Sequence, residues 1–372
     1  MIRIQNYVLT GVLLAWGCLP AAAEEIIAIQ ADRIDTVASG VVENGVLIIR
    51  GGKISAIGAG LEIPRAATVI DARDKTVFPG LVNPFSRLGL SAPPPGKAAA
   101  NPHYRVLDEL YPFQDDYPRV LQAGFTTLAL VPGGRGIAGQ SAIIRPVGRT
   151  GEEMLVTKSG PLVINFEADE KAKKVIKDAF ESAAKEKDST DPKVKPLVKA
   201  VQGRIPVLVQ CGRPGETLHL LPLLKPYEKM KWALVAGAEN YRLAETLAKA
   251  KIPVILPAQI VFEEFTRNRL NAPQILADAG VKVACTPGDD SMEGYENFLL
   301  AMAQLVKYGL DKDTAKKSMT LYPAQMLGLD YRLGSLEVGK DANVLVLSAD
   351  PLEAGARIHE VVLEGKSVYR AP

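Results

Sequence analysis

The chain has 372 residues, 47% hydrophobic and 23% charged, a globular composition rather than a disordered or fibrous one. Lys+Arg total 44 and Asp+Glu 42, so the formal charge of +2 argues against a nucleic-acid or polyanion binder. The three histidines, His103, His219 and His359, lie far apart with no H-x-H or H-x-x-x-H spacing, which argues against a site built mainly from histidines.

The first element predicted is an export signal over residues 1–23. Arg3 supplies its positive start, Val8 to Leu19 its apolar stretch, and Ala21-Ala22-Ala23 a cleavage site before Glu24. The apolar stretch is too short for a membrane span, and no later segment is apolar enough for one. The expectation is an exported protein, periplasmic or secreted, without a membrane span after cleavage. An uncut N-terminal anchor is the alternative, and Trp16 before Gly17-Cys18 fits a lipoprotein signal badly.

Short β-branched runs follow: Val46 to Ile49, Ile54 to Ile57 and Val69 to Asp71, with Gly51-Gly52 between the first two. They read as hairpin strands. Two similar runs, Asn343 to Leu347 and Glu360 to Leu363, close the chain. Residues 24–76 and 335–372 are therefore expected to form one small β-sandwich.

Between them lie eight short apolar runs: 77–82, 126–131, 142–144, 162–166, 206–211, 233–236, 253–256 and 281–285. Helix-like segments separate most of them, including Glu170–Lys187, Tyr241–Lys251 and Asn297–Tyr308. This alternation suggests an α/β fold, a parallel (β/α)8 TIM-like barrel over residues 77–334. One gap, Pro132 to Gln140, is too short for a helix. Cys211 and Cys285 each end a strand-like run, and buried free thiols are expected rather than a disulfide.

Several stretches resemble the amidohydrolase superfamily. Glu43 to Ile54, Val69-Ile70-Asp71-Ala72 and Val77-Phe78-Pro79-Gly80-Leu81-Val82 are similar to its opening. Tyr322-Pro323-Ala324, Leu327-Gly328-Leu329 and Gly334 to Asn343 are similar to its close. Gly124-Phe125-Thr126-Thr127, Pro132-Gly133 and Gly139-Gln140 resemble its exported branch, related to imidazolonepropionases and amino-acid-processing amidohydrolases. The resemblance implies a metal-bearing barrel with a β-sandwich from both chain ends, hydrolysing C–N bonds in cyclic amides, N-acyl amino acids or dipeptide-like substrates. Metal at the strand ends would activate water, with a strand-8 Asp handling the proton.

The ligand positions that the resemblance implies are occupied by other residue types. Phe85 and Arg87 stand in place of the strand-1 histidines, and Asn83 in place of the preceding Asp. Gln210 stands at the strand-5 histidine and Ala236 at the strand-6 histidine. Phe cannot ligate a metal, and Arg is a permanent cation. Glu167 fits the bridging position, but it also reads as an ordinary acidic residue opening a charged segment. For the strand-8 carboxylate, Asp289 fits with a one-residue slip and Asp290 with two; both also read as a polar loop capping the next helix. Arg87 is expected to pair with Glu167 or an Asp, a fixed cation in the metal's place.

Accordingly no metal site and no cofactor are expected. The favoured reading is a catalytically degenerate, exported small-molecule-binding or accessory protein. It would have a homo-oligomer or an active homologue as partner, and no nucleic acid. The alternative is an active hydrolase of cyclic amide or N-acyl amino acid C–N bonds, working through Glu167 and Asp289 in a rebuilt site. Pro132 to Gly136 reads as a turn, with Arg135 available for an acidic ligand.

Overall fold

The computed structural model describes residues 25–91, 96–157, 159–263 and 265–372; the predicted export signal lies outside them. The first four strands are β1 (Ile26–Asp35), β2 (Val41–Arg50), β3 (Lys53–Ala59) and β4 (Thr68–Pro79). The last three are β18 (Val344–Leu347), β19 (Ile358–Leu363) and β20 (Lys366–Arg370). All seven join one sheet in the order β20-β19-β18-β4-β1-β2-β3, so the two chain ends meet as the sequence suggests. The link is β4, parallel to β1 on one side and antiparallel to β18 on the other. One face buries Ile27, Ile29, Leu47 and Ile49, and the alternate residues Ala28, Val46 and Ile48 form a smaller cluster on the other.

The sequence places the barrel boundary between residues 76 and 77, but the ladder runs on. Val77 and Phe78 still pair with β18, and the chain leaves the terminal sheet only at Gly80. There it enters β5 (Leu81–Ser86), which runs parallel to β7 (Phe125–Leu130). A Cβ on Gly80 would overlap the Thr126 side chain, so only glycine allows the two strands this approach.

The central region is mixed α/β. After β6 (Ala99–Ala100), β8 (Gly136–Gln140) and β9 (Ala142–Ile144) occupy the short gap in which no helix fits. β9 pairs antiparallel with β7 and with β10 (Leu155–Thr157), and β8 pairs antiparallel with β11 (Leu162–Asn165). From β11 onward the ladder is parallel: β12 (Val207–Cys211), β13 (Trp232–Ala236), β14 (Val254–Pro257) and, after the β15–β16 hairpin (Val261–Phe262 and Arg269–Leu270), β17 (Val283–Thr286). Each of the eight apolar runs thus contributes a strand. The intervening helices cover the outer face, and Glu170–Ala184 buries Ala172, Ile176, Phe180 and Ala183 along one stripe.

A buried ionic clamp joins the terminal sheet to the helix Lys312–Met319. Lys316 Nζ lies 2.7 Å from Asp35 at the end of β1 and 2.8 Å from Asp350 after β18. Lys316 is 6% exposed, and a cation so buried requires these carboxylates.

Candidate functional site at the strand ends

Strand register decides which side chains reach the C-terminal mouth. Asn165, Gln210, Val235, Ile255 and Ala284 are successive ladder partners and form one layer. Below it Val163, Leu208 and Ala233 pack in an interior cluster with Val82, Val131 and Ala138. Phe85 and Val235 pack against the top of that cluster. Gln210 is exposed in its layer. Ala236, expected in the pocket, is not there. It pairs with Cys211, and both pack outward beneath the helices with Leu234. A one-residue offset along a strand carries a side chain across the sheet, so Val235 holds the inward position.

A compact polar cluster sits where β5 meets the loop after β17. These two strands edge different sheets and share no ladder. Asp290 bridges the seam. Its Oδ1 accepts from Ser86 Oγ (2.7 Å) and the Tyr295 hydroxyl (3.0 Å), and its Oδ2 accepts from the Arg87 backbone N–H (2.6 Å). Asn83 Nδ2 donates to the Tyr295 oxygen (2.9 Å), and Asn83 Oδ1 accepts from the Phe85 N–H (3.1 Å). Tyr295 and Ser86 are buried. Burial first, and then the Asp290 charge, push the Tyr295 hydroxyl well above its ordinary pKa, so it remains a donor. Asp290, Asn83 and the Arg87 backbone are thus brought together with Ser86 and Tyr295, neither of which the sequence singled out. Ser86 lay between two named positions. Tyr295 comes from the short helix Met292–Glu296, with no motif to announce it.

The other carboxylates are elsewhere. Asp289 turns onto its own loop, accepting from the Ser291 N–H (3.0 Å) and Oγ (2.5 Å), which lowers its pKa. Ser291 in turn caps the helix Met292–Glu296 through the Gly294 N–H. Glu167 is about half exposed and ion-paired with Arg135, which also holds Asp169 at 2.8 Å. The expected pairing of Arg87 with a carboxylate is not found among the described residues. Its guanidinium donates instead to the carbonyls of Val131 (3.1 Å) and Ser91 (2.7 Å), which neutral acceptors on adjacent loops make possible.

These residues offer a catalytic divalent metal few free donors. Both Asp290 oxygens already accept hydrogen bonds, Glu167 is held by a guanidinium, and Gln210 offers only a weak amide oxygen. Among the described residues no three His, Cys, Asp or Glu side chains converge.

A family model, the amidohydrolase family, matches residues 229–368. The chain is 23% identical over 378 residues to amidohydrolase tasK of Hapsidospora irregularis, covering 84% of this chain. It spans only 38% of that curated relative's length. Among solved structures, an amidohydrolase from Thermotoga maritima MSB8 superposes with a TM-score of 0.81 at 23% identity, covering 93% of this chain and 100% of the other. A prolidase complexed with N-methylphosphonate-L-proline superposes at 0.60 with 15% identity, covering 93% and 100%. The structural matches indicate a TIM-barrel-like fold, and residues 229–368 match the amidohydrolase family.

Proposed function

We propose that this is a catalytically degenerate amidohydrolase-superfamily protein, exported by its N-terminal signal. Its role is to bind a small molecule or to act as an accessory to an active homologue, with no resident metal. Its architecture in this reading is a (β/α)8 barrel closed between β5 and β17, with a terminal β-sandwich. The observation that carries the reading is the state of Asp290: the carboxylate at the end of β17 is spent on Ser86, Tyr295 and the Arg87 N–H. Phe85, Val235 and Gln210 beside it supply no strong metal donor.

The second reading, an active C–N hydrolase of cyclic amides or N-acyl amino acids, has one favouring observation. Glu167 is solvent-accessible two residues beyond the end of β11, where a carboxylate can meet substrate. The test is metal analysis of the purified protein after zinc and manganese loading, with turnover of N-acyl amino acids in parallel. Degeneracy predicts substoichiometric metal, no effect of chelator on melting, and no turnover above background. One tightly held metal equivalent, or turnover abolished by Glu167→Ala or Asp289→Ala, would overturn it.

A further inference from the structure

Opposite the mouth, at the N-terminal entries of β12, β13 and β14, the structure carries a cavity of about 880 Å³. Its walls form for sequence reasons. Pro206 and Pro253 stand just before β12 and β14, and Pro222 lies in the last turn of the helix Pro214–Leu224. Proline has no N–H, so these walls present no unpaired backbone donor. The carbonyls of Pro206 and Pro253 are taken by the N–H groups of Leu162 and Leu234. The neighbouring N–H groups of Tyr227, Met230 and Ile252 are bonded to carbonyls of their own turns. Met230, Met326, Leu224 and Ala233 are buried in the floor, and the half-buried Trp232 forms part of the wall. Gly328, at φ +70°, lets the chain after the helix Leu321–Met326 tuck in toward Pro206.

Charge on the rim is lopsided. Lys225, Lys231 and Lys251 are exposed there against Glu228 and Asp330. None of the three is among the ion-paired lysines of the described residues. Gln325, also on the rim, gives its carbonyl to Lys282 at 3.0 Å. The rim thus carries three exposed cations against two exposed carboxylates.

We propose that this cavity binds a free amphiphilic anion, a medium- to long-chain carboxylate whose tail lies over the methionine–proline floor and whose head meets the lysine rim. A volume of about 880 Å³ suits a ligand of that size. The site is independent of the mouth and of whether any catalysis survives there.

Trp232 supplies the readout. The chain has two tryptophans, Trp16 and Trp232, and Trp16 precedes the expected signal cleavage point. Titration of the protein with dodecanoate, below its micelle-forming concentration, is expected to change the Trp232 emission saturably, and calorimetry to return one site. Dodecanol should bind at least tenfold more weakly, and so should dodecanoate to the variant Lys225→Glu/Lys231→Glu/Lys251→Glu, because a charge-assisted head contact is lost. Those lysines are exposed, so the variant should melt as the parent does. Equal binding of the alcohol and the acid, unchanged binding by the triple variant, or no binding into the millimolar range would each overturn the proposal.

Discussion

Replacing Asp290 by alanine tests the reading of the mouth most directly. The carboxylate accepts three hydrogen bonds, at 2.7, 3.0 and 2.6 Å, across a seam that no strand ladder closes. Hydrogen bonds to a charged acceptor contribute about 1.5–3 kcal/mol each, less when they share one acceptor. Two donors keep partial alternatives after truncation, since the Ser86 and Tyr295 oxygens lie 3.0 Å apart. The Arg87 N–H has none. Asp290→Ala is therefore expected to cost about 2–4 kcal/mol in urea unfolding. At roughly 2.1 cal/mol/K of unfolding entropy per residue, that lowers the Tm by about 3–5 °C. Asp290→Asn should fall between wild type and alanine, because one amide oxygen still accepts while its NH2 opposes the Arg87 N–H. Loss of less than about 0.5 kcal/mol in the alanine variant would refute the latch, and would return Asp290 to the list of groups free for chemistry.

Other consequences are as direct. Burial pulls the Lys316 pKa down, but Asp35 and Asp350 outweigh it and raise it; burial pushes Asp350 up, but Lys316 outweighs it and lowers it. The Asp350 contribution is thus present above the unfolded carboxylate pKa and lost as pH falls through its lowered folded value. The Lys316 contribution is present below the unfolded lysine pKa and lost as pH rises through its raised folded value. Lys316→Met should cost about 3 kcal/mol at neutral pH, and chemical denaturation at descending pH should show that gap narrowing as Asp350 protonates. Burial pushes the Cys211 thiol up to about 11 and the Cys285 thiol up to about 12, so Ellman's reagent at neutral pH should find neither until the protein is unfolded. Gly80→Ala should cost about 1–3 kcal/mol by overpacking against Thr126, and calorimetric melting should show Thr126→Ala recovering part of the loss.

The strands were legible because short continuous apolar runs beside prolines and glycines are a local signal, and each of the eight runs of the central region contributes a strand. The joining of the chain ends was legible from matching β-branched runs at both termini. What escaped the sequence depended on parity or on distance. Ala236 and Val235 differ by one step along β13, and only the ladder to Gln210 settles which faces inward. Asp289 and Asp290 differ by one step in a loop, where no periodicity fixes direction; one caps the loop onto Ser291, the other reaches β5. Arg87 announced a charge but not its partner, and a guanidinium is satisfied as readily by two carbonyls as by a carboxylate. Tyr295 joins Asn83 across 212 residues of sequence, which no local pattern encodes.

The hydrogen-bond accounting also narrows what the mouth can still recognise. Asp290, Ser86, Tyr295 and Asn83 spend their polar atoms on one another, and Arg87 spends its guanidinium on the backbone. Two groups of the mouth layer remain. Asn165 donates to the Gly134 carbonyl at 2.6 Å, which fixes the amide so that Oδ1 is buried without a donor. A buried acceptor left so costs about 1–3 kcal/mol. Beside it Gln210, its ladder partner, is exposed with an amide that both donates and accepts. An exposed neutral amide beside Val235, without a cation among the mouth-layer residues, suits a neutral polar molecule rather than an anion. The two ends of the fold would then select opposite chemistries, and Gln210→Leu, which removes that exposed amide, should weaken any neutral ligand at the mouth while leaving dodecanoate binding at the lysine rim unchanged.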